Sequence, residues 1–305
     1  FKFPQERNEL LLNVIQSFIN VIVSSQNLSI RQPAMKSLEN HKIKAEKMLN
    51  LGLIANHDKL RADVAYSEAQ RNLADAEELY KLTLEVFHSN SFTEEDEIPG
   101  DSIIFKKFIS QKEQLIIEAN NGNPMIAQTK SAENALIQKS NAEFANYFPT
   151  IYGFGSYDIF DNYRSLIEPK WVVGIAANFN VFNGFKRTND YQAATAEAES
   201  VKYMTSELQR KIGLAVKKYY MEMKTSEQQY LMLDASLKLA EESFILNEKR
   251  YETGLGTSIE VLDAHVSLES IKLKQLSALK DYYISLANLY YYKGNTEEFL
   301  NFWNN

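Results

Sequence analysis

The sequence predicts a mainly α-helical chain with one β-hairpin, built on long antiparallel helical hairpins. Three observations predict it. Residues 185–252 contain no proline and a single glycine, Gly213; the stretch around Gly52 recurs around Gly254; and between 147 and 182 the apolar period drops from about 3.6 to 2.

In the proline-free run, Ile212, Val216, Tyr219, Met223 and Tyr230 fall at helical spacing. A single helix of that length extends about 100 Å, about three times the hydrocarbon thickness of a bilayer, so it is expected to be a coiled-coil or tunnel element. It stops at Tyr251-Glu252-Thr253-Gly254-Leu255-Gly256-Thr257-Ser258. Two glycines end the helix there, and Thr257 or Ser258 caps the next. The returning helix carries Ile259, Leu262, Val266, Leu273, Leu276, Tyr283, Leu286 and Tyr290 in a heptad-like stripe up to Gly294.

The same unit appears earlier. Gly52 through Val64 aligns without gaps on Gly254 through Val266, an offset of 202, with Gly, Leu, Leu, Ala and Val matching and Asp58 against Glu260. That period is too long for a solenoid and points to a duplicated half-protein, each half built on one helical hairpin. The first hairpin is expected over 1–90 with its tip near 51–57, the second over 184–292 with its tip near 253–258. Pro33 lies inside the first and removes an intrahelical hydrogen bond, so a kink or local break is expected there.

A connector, 91–122, separates the halves; the acidic loop at its start, 89–100, reads as a solvated link. Asn123-Pro124 then opens a helix over 123–147, asparagine as N-cap and proline at the first helical position, and Pro149 ends it. The hairpin, 148–183, is read as two strands, 147–160 and 170–182, joined through Asp161-Asn162-Tyr163. In the second, Trp171, Val173, Ile175, Ala177, Phe179 and Val181 share one face, while Gly174, Ala176, Asn178 and Asn180 share the other. That alternation suits the lipid and lumen faces of a membrane barrel, and equally a sandwich strand over a soluble core. Tyrosine and tryptophan at the strand ends favour a membrane girdle. Residues 293–305 form a short C-terminal segment.

Composition removes several functions. With 305 residues, 45% hydrophobic, the chain can bury a sizeable core. It has no cysteine, which excludes disulfides, thiolate metal sites and cysteine nucleophiles. A net charge of −7, with 33 scattered basic residues, argues against nucleic acid as a partner. No apolar run is long enough for a transmembrane helix, which leaves a β-barrel open. His41, His57, His88 and His265 are dispersed without ligand spacing, and there is no phosphate loop or nucleophile elbow. No catalytic residue, metal or cofactor is expected, and an enzyme is the weakest reading.

Ala145-Asn146-Tyr147-Phe148-Pro149-Thr150-Ile151, then Gly153-Phe154-Gly155-Ser156-Tyr157, Trp171-Val172-Val173-Gly174-Ile175 and Val181-Phe182-Asn183-Gly184 resemble the TolC family of outer-membrane efflux proteins. Asn123-Pro124 ahead of them resembles that family's helix opening. Tyr251-Glu252-Thr253-Gly254, leading to Val261-Leu262-Asp263-Ala264, resembles its tip. The resemblance implies a homotrimer in which helical hairpins form an α-helical tunnel across the periplasm and β-hairpins close a transmembrane barrel in outer-membrane lipid. It implies two β-hairpins per protomer, so a helix and a strand pair are expected ahead of Phe1. The implied function is the outer-membrane channel of a tripartite system that exports small molecules, working with a periplasmic adaptor and, through it, an inner-membrane transporter. A type I protein-secretion conduit shares the architecture; a soluble coiled-coil scaffold is the alternative from another class.

Two sets of candidate residues follow from the resemblance. Leu51-Gly52-Leu53 and Thr253-Gly254-Leu255 resemble the paired tips that meet the adaptor, glycine turning the backbone and leucine presenting an apolar knob. A plain helix C-cap explains the glycines alone. Asp58, Tyr251, Glu260 and Asp263 match positions of the periplasmic gate. Glu260 and Asp263 lie three apart on one helical face, and a threefold axis would gather six such carboxylates; a favourable interaction with the helix N-terminus is the plainer account. The arginine that the resemblance leads one to expect near the tip is replaced by Gly256.

Overall fold

The computed structural model describes residues 2–92, 102–159 and 169–304. The acidic stretch Glu94 to Glu97 and the turn Asp161-Asn162-Tyr163 lie outside the described residues. In chain order the elements are α1 (Lys2–Asn50), α2 (Asn56–Ser91), α3 (Lys112–Gly122), α4 (Pro124–Ala145), β1 (Thr150–Tyr157), β2 (Trp171–Asn178), α5 (Lys186–Glu252), α6 (Ser258–Lys293) and α7 (Glu297–Asn304). They divide into two compact units, 1–124 with 212–305, and 125–211.

In the first unit α1 packs against both α2 and α6. Its apolar face buries Ile15, Ile19 and Ile22, then Leu38 and Ala45. Pro33 lies between these two groups, yet α1 runs unbroken through it, so the expected local break does not occur. A missing hydrogen bond at an interior proline costs about 3 kcal/mol. Packing on either side of Pro33, against two partner helices, holds both halves of α1 helical.

Helix α6 is the spine of this unit, with Tyr282, Tyr283, Leu286 and Leu289 almost wholly buried. Two of its tyrosines organise the connector. Tyr282 Oη donates to the Lys106 carbonyl and accepts from Phe108 N–H, both at 2.8 Å, while Tyr283 Oη donates to the Ile104 carbonyl and accepts from Lys106 N–H. The extended segment 102–111 thus satisfies its inner edge with phenols where a sheet would use a neighbouring strand. Burial pushes both phenols up, Tyr283 to about 12, so the donors stay protonated. The connector also holds a helix that its sequence had not suggested, α3, which buries Leu115 and Ala119. Residues of α7 close the cluster, Phe299 buried and Trp303 edge-on to Tyr283 at 5.0 Å.

In the second unit Lys139 of α4 pairs with Glu197 of α5 at 2.6 Å, and Phe144 and Tyr147 meet Tyr191. Strands β1 and β2 pair antiparallel, Thr150 opposite Asn178 and Tyr157 opposite Trp171. They are shorter than the alternation suggested, ending at Asn178 before Asn180-Val181-Phe182. Trp171, Val173 and Ile175 are exposed at 63%, 75% and 83%, an apolar face without a protein partner in the described residues.

Candidate functional site

The two helix turns share three backbone hydrogen bonds at equivalent positions, and the second adds one from Gly256 N–H to the Arg250 carbonyl. At the first, the N–H groups of Leu51, Gly52 and Leu53 donate to the carbonyls of Lys47, Leu49 and Met48. At the second, those of Thr253, Gly254 and Leu255 donate to Lys249, Tyr251 and Arg250, each 202 residues further on. Gly52 and Gly254 have φ of +72° and +76°, the left-handed conformation that ends a helix and that other residues adopt at a cost. The turns leave Leu51, Leu53 and Leu255 exposed at 73%, 68% and 75%. A helix cap accounts for the glycines. It does not account for leucines held out into water at both ends.

The turns differ in how the next helix begins. Thr257 caps α6 in a full capping box: its hydroxyl accepts from Glu260 N–H, and the Glu260 carboxylate accepts from Thr257 N–H at 2.7 Å. At the repeat-equivalent position α2 has Ala55, with no side-chain cap. A Cβ at Gly256 would fit tightly, 3.0 Å from the Cβ of Arg250 and 3.1 Å from the Tyr251 nitrogen. An arginine is present nearby, at Arg250. Arg250 Nη2 donates to the Leu255 carbonyl at 3.2 Å and its guanidinium lies 3.7 Å from Glu260, tying the second turn across its base.

Beneath the turns the two hairpins meet. Tyr251 is 2% exposed, its ring 4.9 Å from that of His41 of α1, and its hydroxyl has no hydrogen-bond partner. His41 Nε2 is 2.8 Å from the hydroxyl of Ser258, the first residue of α6. Burial, then Lys44 and His265, pull the His41 imidazole down to about 4, so it is neutral near pH 7. Burial and the charge of Asp58 push the Tyr251 phenol up. Lys44 completes the joint, bonded to Glu252 and 3.7 Å from Glu248.

Of the four residues matched to a gate, Tyr251 is buried at this joint with Asp58 close enough to bias it, and Glu260 is engaged in the cap. Hydrogen bonds from the Thr257 backbone and hydroxyl hold the Glu260 carboxyl below its usual range. Asp263 is exposed and has no partner among the described residues. His41, Lys44 and Arg250 were missed by sequence reasoning. Arg250 gave only the general signal of a cation at a helix C-terminus, and His41 lies 217 residues from the serine it meets.

The sequence profile of the outer membrane efflux protein family matches residues 115–295. The chain belongs to that family. Its members are outer-membrane efflux channels, and this one is an outer-membrane protein of the same kind. No curated protein sequence matches it. Among solved structures, a membrane protein from Pseudomonas aeruginosa superposes with a TM-score of 0.80 at 16% identity, covering 96% of this chain and 67% of that one. The CmeC outer membrane channel of Campylobacter jejuni gives 0.76 at 13% identity, covering 98% and 67%. The open state of the MtrE outer membrane channel of Neisseria gonorrhoeae gives 0.77 at 16% identity, covering 96% and 67%. At such identities the likeness shows the fold: the expected class, long helical hairpins with a β-hairpin, is the class these channels share. The chain spans about two thirds of each of the three.

Proposed function

We propose that this efflux protein acts without catalysis as one protomer of a homotrimeric channel, its β-hairpin in the barrel and its helical hairpins in a periplasmic tunnel. A periplasmic adaptor meets the two turns and couples them to an inner-membrane transporter that supplies small molecules. The observation that carries this reading is the pair of superposable turns with exposed leucines, since a repeated docking knob needs a repeated partner surface. Leu53→Asp with Leu255→Asp introduces charge at that contact, on side chains that are mostly exposed. Export of small-molecule substrates should fall to background while protein level and oligomer are unchanged; undiminished export would remove the leucines from docking.

Asp58, Tyr251, Glu260 and Asp263 are the gate in this reading. Asp263, exposed and unpartnered, contributes charge to the aperture, while Glu260 shapes the turn. In a planar bilayer Asp263→Asn should therefore reduce cation preference more than Glu260→Gln does.

A further inference from the structure

Strand β2 ends at Asn178 and α5 begins at Lys186, and the segment between them borders an open polar pocket at the end of the hairpin where Thr150 pairs with Asn178. Its volume is about 250 Å³, and its lining includes Asn178, Asn180, Asn183, Lys186, Arg187 and Asp190. All six belong to the second compact unit.

The two cations of the lining are not equivalent. Lys186 is bonded to Asp190 at 2.6 Å and is also attracted by Glu143, so both nearby carboxylates are committed to it. Arg187 has no carboxylate partner among the described residues. Its guanidinium donates through Nη2 to the Asn180 carbonyl and lies over the rings of Tyr147 and Phe179, 5.3 and 5.6 Å from their centres. Those contacts fix its direction and leave its charge unmatched. Nε and Nη1 have no hydrogen-bond partner among the described residues, and neither is buried, so both are open to a ligand. The side-chain amides of Asn178 and Asn180 add neutral donors to the same lining. One unmatched cation with amide donors suits a single negative charge, whereas a dianion would meet Asp190 as a like charge.

The rim is apolar. Phe148, in the lining, is mostly exposed, and so are Phe182 and Phe185, whose rings meet edge-on at 5.6 Å. Phe185 has φ +64°, a left-handed conformation that is costly for a bulky side chain. Exposure to water offsets none of that strain, whereas contact with hydrocarbon at a membrane surface does. We propose that this pocket holds the phosphodiester of a membrane lipid, the phosphate on Arg187 and the two asparagine amides, the lipid chains along Phe148, Phe182 and Phe185. The planar guanidinium matches two phosphate oxygens. Free phosphate shares the charge chemistry but makes no use of the aromatic rim. The inference rests on the hairpin being a membrane element, and it puts this end of the strands at headgroup level.

The test uses the full-length protein, stripped of lipid in an uncharged maltoside detergent, with native mass spectrometry following bound molecules. Dihexanoyl phosphatidylglycerol, kept below its micelle concentration, is the probe. Dihexanoylglycerol, with the same chains and no phosphate, and inorganic phosphate are the controls. Saturable binding of the probe, one molecule per chain, is expected, with each control about tenfold weaker. Arg187→Gln should weaken the probe about tenfold, the loss of one charge-assisted hydrogen bond. Asn180→Leu, which keeps the carbonyl that Arg187 meets, should weaken it about threefold. Dihexanoylglycerol binding as well as the probe, or unaltered binding in either variant, would overturn the assignment; inorganic phosphate binding as well as the probe would give the pocket to free phosphate instead. In nanodiscs of brominated lipid, the part of the fluorescence that Trp171→Phe removes should be quenched. Quenched Trp171 without saturable probe binding overturns the pocket alone, and unquenched Trp171 overturns the hairpin reading and this inference with it.

Discussion

The first and second turns share their backbone and differ in their anchoring. Both end a helix on a left-handed glycine, with the same three hydrogen bonds and an exposed leucine after it. The second adds a capping box from Thr257 and Glu260, a close backbone approach at Gly256, and Arg250 across the base. The first has Ala55, Ile54 and no side-chain cap at the equivalent places. Duplication has kept the presentation of leucine and let rigidity diverge. A fixed second turn and a looser first one are joined beneath by His41, Ser258, Tyr251 and Lys44. That arrangement puts the adjustable part of the joint on the side of α1 and α2.

The largest effect should come from charging the joint. His41 titrates near 6.5 when unfolded and is held at about 4 in the fold, so the unfolded chain binds more protons between those values. Stability is full above pH 6.5 and is lost as pH falls toward 4, by up to about 3 kcal/mol. Lys44 and His265 act on the group directly, Tyr251 and Ser258 contact it, and Glu248, Glu252 and Asp58 face those neighbours. His265, also lowered, contributes in the same direction below its ordinary value. Glu252, lowered by its bond to Lys44, loses its contribution only as pH falls below the usual carboxylate range, a separate and more acidic window. Denaturant unfolding followed from pH 7 to 4 should show this decline, and His41→Gln should flatten it in part. An identical slope in the variant would remove His41 from the joint.

Removing the extra anchor of the second turn is the next step down. Thr257→Ala deletes the N-cap and should cost about 1 kcal/mol, read as faster amide exchange in the first turn of α6. Glu260→Gln keeps part of the box and should cost less. If Thr257→Ala leaves exchange at both turns equal to wild type, the asymmetry argued from the caps is absent in solution.

How much of this was legible in sequence follows from how local each signal is. Glycine at 52 and 254, Thr257 and the long apolar stripes act through hydrogen bonds and spacing within one helix, and they were readable. The joint was not, because His41 and Ser258 are brought together by packing between elements and neither carries a local pattern. The local break expected at Pro33 is absent for the same reason: its penalty is local, and the contacts that outweigh it come from α2 and α6. The phenols of Tyr282 and Tyr283 read as core residues, which they are, but their hydroxyls pair with a segment about 175 residues away that no periodicity could connect to them. Strand ends were overrun because Val181 and Phe182 continue the apolar alternation after pairing stops at Asn178.

The smallest effect is also the cleanest test of the comparison, since it adds what the first turn lacks. Ala55 already has the extended backbone of an N-cap, φ −86° and ψ 158°, and its carbonyl accepts from Asp58 N–H at 3.1 Å. A serine hydroxyl at that position needs no backbone change to accept from an N–H of the first turn of α2. Ala55→Ser should therefore stabilise α2 by about 0.5–1 kcal/mol and slow exchange of its first amides toward the values at α6. Export should fall modestly if a loose first turn is what lets the adaptor or the gate move it. Export unchanged in a variant whose turn is measurably firmer would show that the difference between the two turns is a relic of divergence with no mechanical role.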